Sequence, residues 1–144
     1  MKVAIINCGS SKKPYTCQAR DLYTGNLFCA SRKYCEDNYS QYIILSAKYH
    51  MLFPEDIISP YELYLGDLTK QEKLDWNNVV VKQIMKYFPN TTQLDFYTSK
   101  MYSEGVISIL ENNGYVCKTF LNDLGMGYKV QWFKNHCKKK GKLF

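Results

Sequence analysis

The 144 residues make one domain by the usual size prior, and with 46% hydrophobic and 22% charged residues the chain can bury a sizeable core with little left for long disordered tails. No apolar run approaches the roughly 20 residues of a membrane span, and Met-Lys-Val-Ala-Ile-Ile-Asn reaches Cys8 too soon for a signal-peptide apolar region, so a soluble, cytoplasmic protein without membrane contact is expected. The formal charge of +6 is crowded towards the end, in Lys134, Lys138, Lys139, Lys140 and Lys142, which reads as a solvated tail or as a contact for a phosphate backbone.

From Lys2 to Asn7, Val3, Ala4, Ile5 and Ile6 follow one another without polar interruption, the pattern of a short buried strand. The strand gives way to Cys8-Gly9-Ser10-Ser11-Lys12-Lys13-Pro14-Tyr15, a loop by its glycine, serines and proline. Successive backbone N–H groups beside serine hydroxyls and a lysine ammonium make a cradle for an anion, although the Walker spacing is missing. A helix is predicted over 26–38, with Leu27, Ala30, Ser31, Tyr34 and Cys35 on one face and Thr24 or Asn26 as its cap. The second strand, 42–46, follows directly and completes a βαβ unit with a right-handed crossover. Its end turns abruptly polar, at Ser46, Lys48, Tyr49 and His50.

Thr69 and Glu72 have capping-box spacing, and the helix they open runs to about Phe88 on a stripe of Leu74, Val80, Val81, Ile84, Met85 and Phe88 before Pro89 and Asn90 stop it. Residues 93–98 read as a third strand ending in Ser99-Lys100-Met101-Tyr102, 103–113 as a helix closed by Gly114, and 115–120 as a fourth strand. Leu124-Gly125-Met126-Gly127-Tyr128 is a loop, and a last short helix is expected over 130–136. This alternation predicts a single α/β domain over 1–137, a mostly parallel four-stranded sheet with helices on both faces, and a basic tail over 138–144.

Six cysteines (Cys8, Cys17, Cys29, Cys35, Cys117, Cys137) without a secretion signal are expected as reduced thiols. With no C-x-x-C pair, and with His50 and His136 away from zinc-finger spacing, neither a metal nor another cofactor is expected.

Ser11-Lys12, Ala47-Lys48 and Ser99-Lys100 each fall just past the end of a predicted strand, where ligands collect in open parallel sheets. Three lysines gathered on one edge call for an anionic partner; the alternative is that each points into water, as most lysines do. Tyrosines in the same segments (Tyr15, Tyr23, Tyr49, Tyr61, Tyr102) offer stacking surface, so lysine and phenol together favour a nucleotide unit of DNA, RNA or a small molecule, unless the rings simply serve the core and rim. For chemistry, Lys12 and Lys48 are candidate nucleophiles or bases, and Asp21, Glu55, Asp56 and Glu62 are carboxylates near the same loops. Asp21 could equally pair with Arg20 or cap a helix, and Cys8 could be a nucleophile beside His50 or a buried structural thiol.

Cys8-Gly9-Ser10-Ser11-Lys12, Ala19-Arg20-Asp21-Leu22-Tyr23-Thr24-Gly25 with Leu27-Phe28, Leu45-Ser46-Ala47-Lys48-Tyr49, Pro54, Pro60-Tyr61 and Leu65 together resemble a family of uncharacterised bacterial and phage domains akin to the YaaA peroxide-stress proteins. Phe96-Tyr97 and Gly125-Met126-Gly127 before Gln131-Trp132 extend the resemblance over nearly the whole chain. Those proteins share Leu-Ser-x-x-Tyr-Gly-x-Leu followed by Pro and Pro-Tyr; His50 stands at the glycine, which weakens the expectation of a tight turn there. The opening Cys-x-x-x-Lys with Pro14-Tyr15 is also similar to a motif of archaeosine synthase, a tRNA-base modification enzyme, but Lys13 intervenes and no lysine role is carried over to Lys12. The resemblances imply contact with DNA or modified bases, in a fold neighbouring that of uracil-DNA-glycosylase-like proteins.

The reading reached is a domain that binds a nucleotide unit and acts at its base or N-glycosidic bond. Lys48, Lys12 and Asp21 are the reactive candidates, and Cys8, Gly9, Ser10, Ser11, Arg20, Tyr23, Ser46, Tyr49, Pro60, Tyr61 and Lys100 are the ligand-binding ones. The alternative is a binder without turnover, either a DNA-binding stress protein or a phage-type sponge for a nucleotide signal.

Overall fold

A computed structural model describes residues 1–137, and the lysines at 138, 139, 140 and 142 lie outside the described residues. The first strand, β1 (Lys2–Asn7), leads through the two-residue β2 (Cys17–Gln18) and the single-turn α1 (Ala19–Leu22) into α2 (Asn26–Asn38). Next come β3 (Tyr42–Ser46), β4 (His50–Leu52) and β5 (Ile57–Ile58), then a 3₁₀ turn at Leu65–Asp67. The chain closes with α3 (Lys70–Tyr87), β6 (Gln93–Tyr97), α4 (Lys100–Asn112), β7 (Val116–Thr119) and α5 (Met126–His136).

The main sheet has five strands in the order β4-β3-β1-β6-β7. β1 pairs in parallel with β3 and β6, and β6 with β7; Val3 to Ile6 and Tyr42 to Leu45 are buried at every position, which is why these central strands read as unbroken apolar runs rather than as alternating ones. The expected four-stranded sheet is corrected by β4, which folds back on β3 as an antiparallel hairpin with Ser46 opposite His50. A tight turn does form there, and His50 adopts φ 66°, the left-handed conformation that glycine takes most cheaply. The two-residue strands β2 and β5 pair separately, Cys17 with Ile58 and Gln18 with Ile57.

Helix ends follow the sequence. Thr69 Oγ1 accepts from Glu72 N–H at 3.1 Å while Glu72 Oε1 accepts from Thr69 N–H at 2.8 Å, the reciprocal capping box, and Gly114 closes α4 at φ +85°. α5 begins at Met126 rather than at 130, so Gly127 lies inside its first turn. The buried stripe of α3 is Trp76, Asn77, Val80, Val81 and Ile84, whereas Leu74 and Met85 of the expected stripe are exposed. α2 packs on α5 through an aromatic seam, with Tyr34 5.1 Å from Trp132 and 5.5 Å from Phe133 between ring centres, and α3 packs on α4. All six cysteines are free thiols. Among the described residues, no helix is long and apolar enough to cross a membrane.

Candidate functional site

The chain moves from β1 outwards to β3, then steps back across β1 to β6 and on to β7, so its direction reverses between β1 and β6. The crevice beyond the carboxyl ends at such a reversal is where open α/β sheets hold ligands. Asn7, the last residue of β1, ties the two strand ends together: its Oδ1 accepts from Ser99 N–H at 2.9 Å and its Nδ2 donates to Cys8 O at 2.9 Å. At this point lies a hollow of about 480 Å³. Cys8, Gly9, Ser10 and Lys12 line it from the loop after β1, and Tyr102 from the first turn of α4. The remaining wall is Glu62, Leu63, Tyr64 and Asp67, from the irregular segment that precedes α3.

Lys12 is placed by backbone pairing rather than by its own loop. Lys13 N–H donates to Leu22 O and Thr24 N–H to Ser11 O, both at 2.9 Å, so the strip around Lys12 lies antiparallel to Tyr23. Its ammonium donates to Ser10 O at 3.2 Å and stands 4.4 Å from the centre of the Tyr61 ring and 5.9 Å from that of Tyr23, a cation held over aromatic faces.

Beneath it runs a chain of buried hydroxyls. Ser46 Oγ accepts from the backbone N–H groups of Lys48 and Tyr49, at 3.2 and 3.0 Å, which uses both of its lone pairs. Its hydrogen therefore goes to Tyr61 Oη at 2.7 Å, and Tyr61 donates onwards to Tyr23 Oη at 2.8 Å. Burial, with the neighbouring Cys8 adding to it, pushes both phenols well above their ordinary range, so they remain donors at neutral pH. Tyr102 Oη meets Cys8 Sγ at 3.3 Å on the hollow's floor.

The expected residues divide into groups. Cys8, Gly9, Ser10 and Lys12 meet in the hollow, and Ser46, Tyr23 and Tyr61 form the support under Lys12, while Ser11 contributes a carbonyl to the strip that holds it. Tyr49 packs edge-on against Tyr61 at 5.6 Å and hydrogen-bonds the backbone of Ser59, with half-buried Pro60 between those two positions. The three lysines do not share a cleft: Lys48 lines a separate hollow of about 290 Å³ with His50 and Trp76, and Lys100 one of about 450 Å³ between α3 and α4. The segment through Leu63, Leu65 and Leu68 runs between all three. Arg20 is committed elsewhere. Its Nε and Nη2 grip Glu36 at 2.9 Å each and its Nη1 reaches Asp21 at 3.0 Å. The Glu36 hydrogen bond raises the guanidinium's pKa further above its ordinary value.

Leu63, Tyr64 and Asp67 carried no sequence signal of their own; only their closeness to Pro60-Tyr61 pointed at them. Glu62 stood among the candidate carboxylates and Tyr102 among the tyrosines offering stacking surface, although neither was singled out as a site residue.

No curated protein matches the chain. A family model matches residues 3–135, which takes in every strand of the sheet, the loop that carries Lys12 and the segment that carries Tyr64, and stops before the lysine-rich end; the chain belongs to DUF6884, a family of unknown function.

Proposed function

We propose that the chain binds a nucleotide unit in the hollow between the ends of β1 and β6. The observation that carries this reading is Lys12, an ammonium fixed over two phenol faces at the mouth of the crevice where the sheet reverses direction. Lysine is a point charge for a phosphate, and the exposed Tyr64 offers ring surface to a base or sugar, with the buried Tyr102 lining the same hollow. Right-handed crossovers would place α2 on one face of the sheet, with α5 packed against it, and α3 and α4 on the other, leaving the strand ends as the approach for a ligand.

Two carboxylates, Glu62 and Asp67, share the hollow with a single lysine. Such a balance repels the continuous backbone of a polyanion and suits one nucleotide, free or turned out of a strand. Action at the base or the N-glycosidic bond would rest on Lys12 with one of these carboxylates, since Lys48 lines another hollow and Asp21 is held by Arg20. That separation of the expected reactive groups favours the second reading, a binder of a nucleotide without turnover.

Isothermal titration with a panel of nucleoside monophosphates and single-stranded DNA tests the binding. Lys12→Ala should lower monophosphate affinity about tenfold, near 1.4 kcal/mol, and Lys48→Ala should leave it unchanged. The opposite result would move the site to the hollow beside His50. Borohydride reduction in the presence of a bound nucleotide that loses its base would trap a Lys12 adduct if the amine attacks the sugar, and binding with neither base release nor adduct selects the reading without turnover.

A further inference from the structure

The segment from Glu62 to Asp67 has a construction that binding at Lys12 alone does not require. It is anchored by Tyr61 just before it and Leu65 within it, which are 7% and 2% exposed, while Tyr64 between them is 58% exposed on the wall of the hollow that Lys12 lines. An exposed aromatic is unremarkable on its own, but this ring is seated on Gly66. A methyl group built there would lie 2.7 Å from Tyr64 Cζ and 2.9 Å from its Oη, closer than carbon contacts allow. Gly66 has no positive φ to account for it; what its missing side chain provides is the resting place of the Tyr64 ring. On either side of this platform stand Glu62 and Asp67, two carboxylates that present acceptors to the hollow. Lys12 is the cation that lines the same hollow.

We infer that this segment is the base-recognition element of the hollow: Tyr64, positioned by Gly66, stacks a nucleobase, and the carboxylates of Glu62 and Asp67 accept hydrogens from an exocyclic amino group. The inference rests on the nucleotide-binding reading above and adds to it a ligand class, mononucleotides whose base carries an amino group. Cytosine presents N4–H₂ to a carboxylate, whereas uracil presents a carbonyl oxygen at the same place and meets like charge. Stacking is indifferent to this difference, because every base has a π face.

CMP and UMP, which differ at that position and at the neighbouring ring nitrogen, are the probes. In titration calorimetry of the full chain, CMP should bind about tenfold more tightly than UMP, and the Glu62→Gln, Asp67→Asn double variant should bring the two together. Tyr64→Leu should weaken both nucleotides by the same factor without altering their ratio. Gly66→Ala should do likewise while the thermal midpoint stays in place, because an exposed ring can swing aside at little cost to the fold. Equal binding of CMP and UMP by the unaltered chain, or a preference that survives the double variant, overturns the inference and leaves nucleotide binding standing. If neither nucleotide binds, nucleotide binding itself falls, and base selection with it.

Discussion

His50 occupies a backbone conformation that glycine takes more cheaply. It turns the β3–β4 hairpin at φ 66°, and its ring lies 6.3 Å from that of Trp76, whose Nε1–H donates to Ser46 O at 3.1 Å. Burial pushes its pKa below the ordinary 6.5, with a hydrogen bond to the Tyr49 backbone offsetting part of the shift. Above pH 6.5 the imidazole is neutral whether the chain is folded or not, so stability is complete there; as pH falls, the unfolded chain takes the proton first and stability is lost towards the lower folded pKa. Urea unfolding at pH 8 and pH 5.5 should show this loss in the unaltered chain and a smaller loss in His50→Gly, which also suits the left-handed turn. Arg20 was expected among the ligand-binding residues, and geometry gives it Glu36 and Asp21 as partners. Arg20→Ala should destabilise the fold by about 1 to 2 kcal/mol through loss of the forked hydrogen bonds to Glu36, read as a shift in the urea midpoint, and leave nucleotide affinity within twofold.

At the scale of elements, the α3–α4 contact depends on one glycine. A methyl group at Gly105 would come within 2.9 Å of Asn77 Cγ, and Asn77 is 4% exposed and accepts from Lys73 Nζ at 3.1 Å. Alanine would gain roughly 1 kcal/mol in helix propensity and lose about 1 to 3 kcal/mol by overpacking a buried polar side chain. Gly105→Ala should therefore be neutral to destabilising by up to about 2 kcal/mol, whereas the same change at an exposed helical site would stabilise; chemical denaturation distinguishes the two. Elements of this kind were legible where the pattern is periodic or capped: β1, β3, α2 and the Thr69–Glu72 box follow directly from apolar runs and spacing. The hairpin strand β4 was not, because three residues are too short for a period and His50 hides the turn that glycine would announce. β2 and β5 were missed for a related reason, since two-residue strands exist only through each other. The start of α5 was misplaced because Gly125 and Gly127 read as loop, although a glycine in the first helical turn costs little when the rest of the helix packs. The stripe of α3 was misassigned at Leu74 and Met85 because hydrophobicity outranked position, and Trp76 with Asn77 took the face that meets the sheet and α4.

For the whole molecule, the question is which part of its charge serves the hollow. The edge where Lys12 lies could be located from its place just past the end of a predicted strand, but three lysines in loops after strands did not make one cleft, because the segment from Leu63 to Leu68 passes between them, and no local pattern announces where an irregular segment will lie. The lysines at 138, 139, 140 and 142 fall beyond the residues 3–135 that the family model matches. Removing 138–144 takes the formal charge from +6 to +2. If those lysines act only through general attraction to phosphate, the truncated chain should keep its thermal midpoint and its affinity for a mononucleotide. Its binding to duplex DNA should weaken, and the slope of log affinity against log salt should become shallower by about 0.9 for each phosphate that the protein no longer neutralises. Mononucleotide titration and DNA binding at two or more salt concentrations separate the two contributions. A truncated chain that loses mononucleotide affinity would show that the basic end reaches the hollow and supplies a cation there, and Lys12 would then be one phosphate ligand among several.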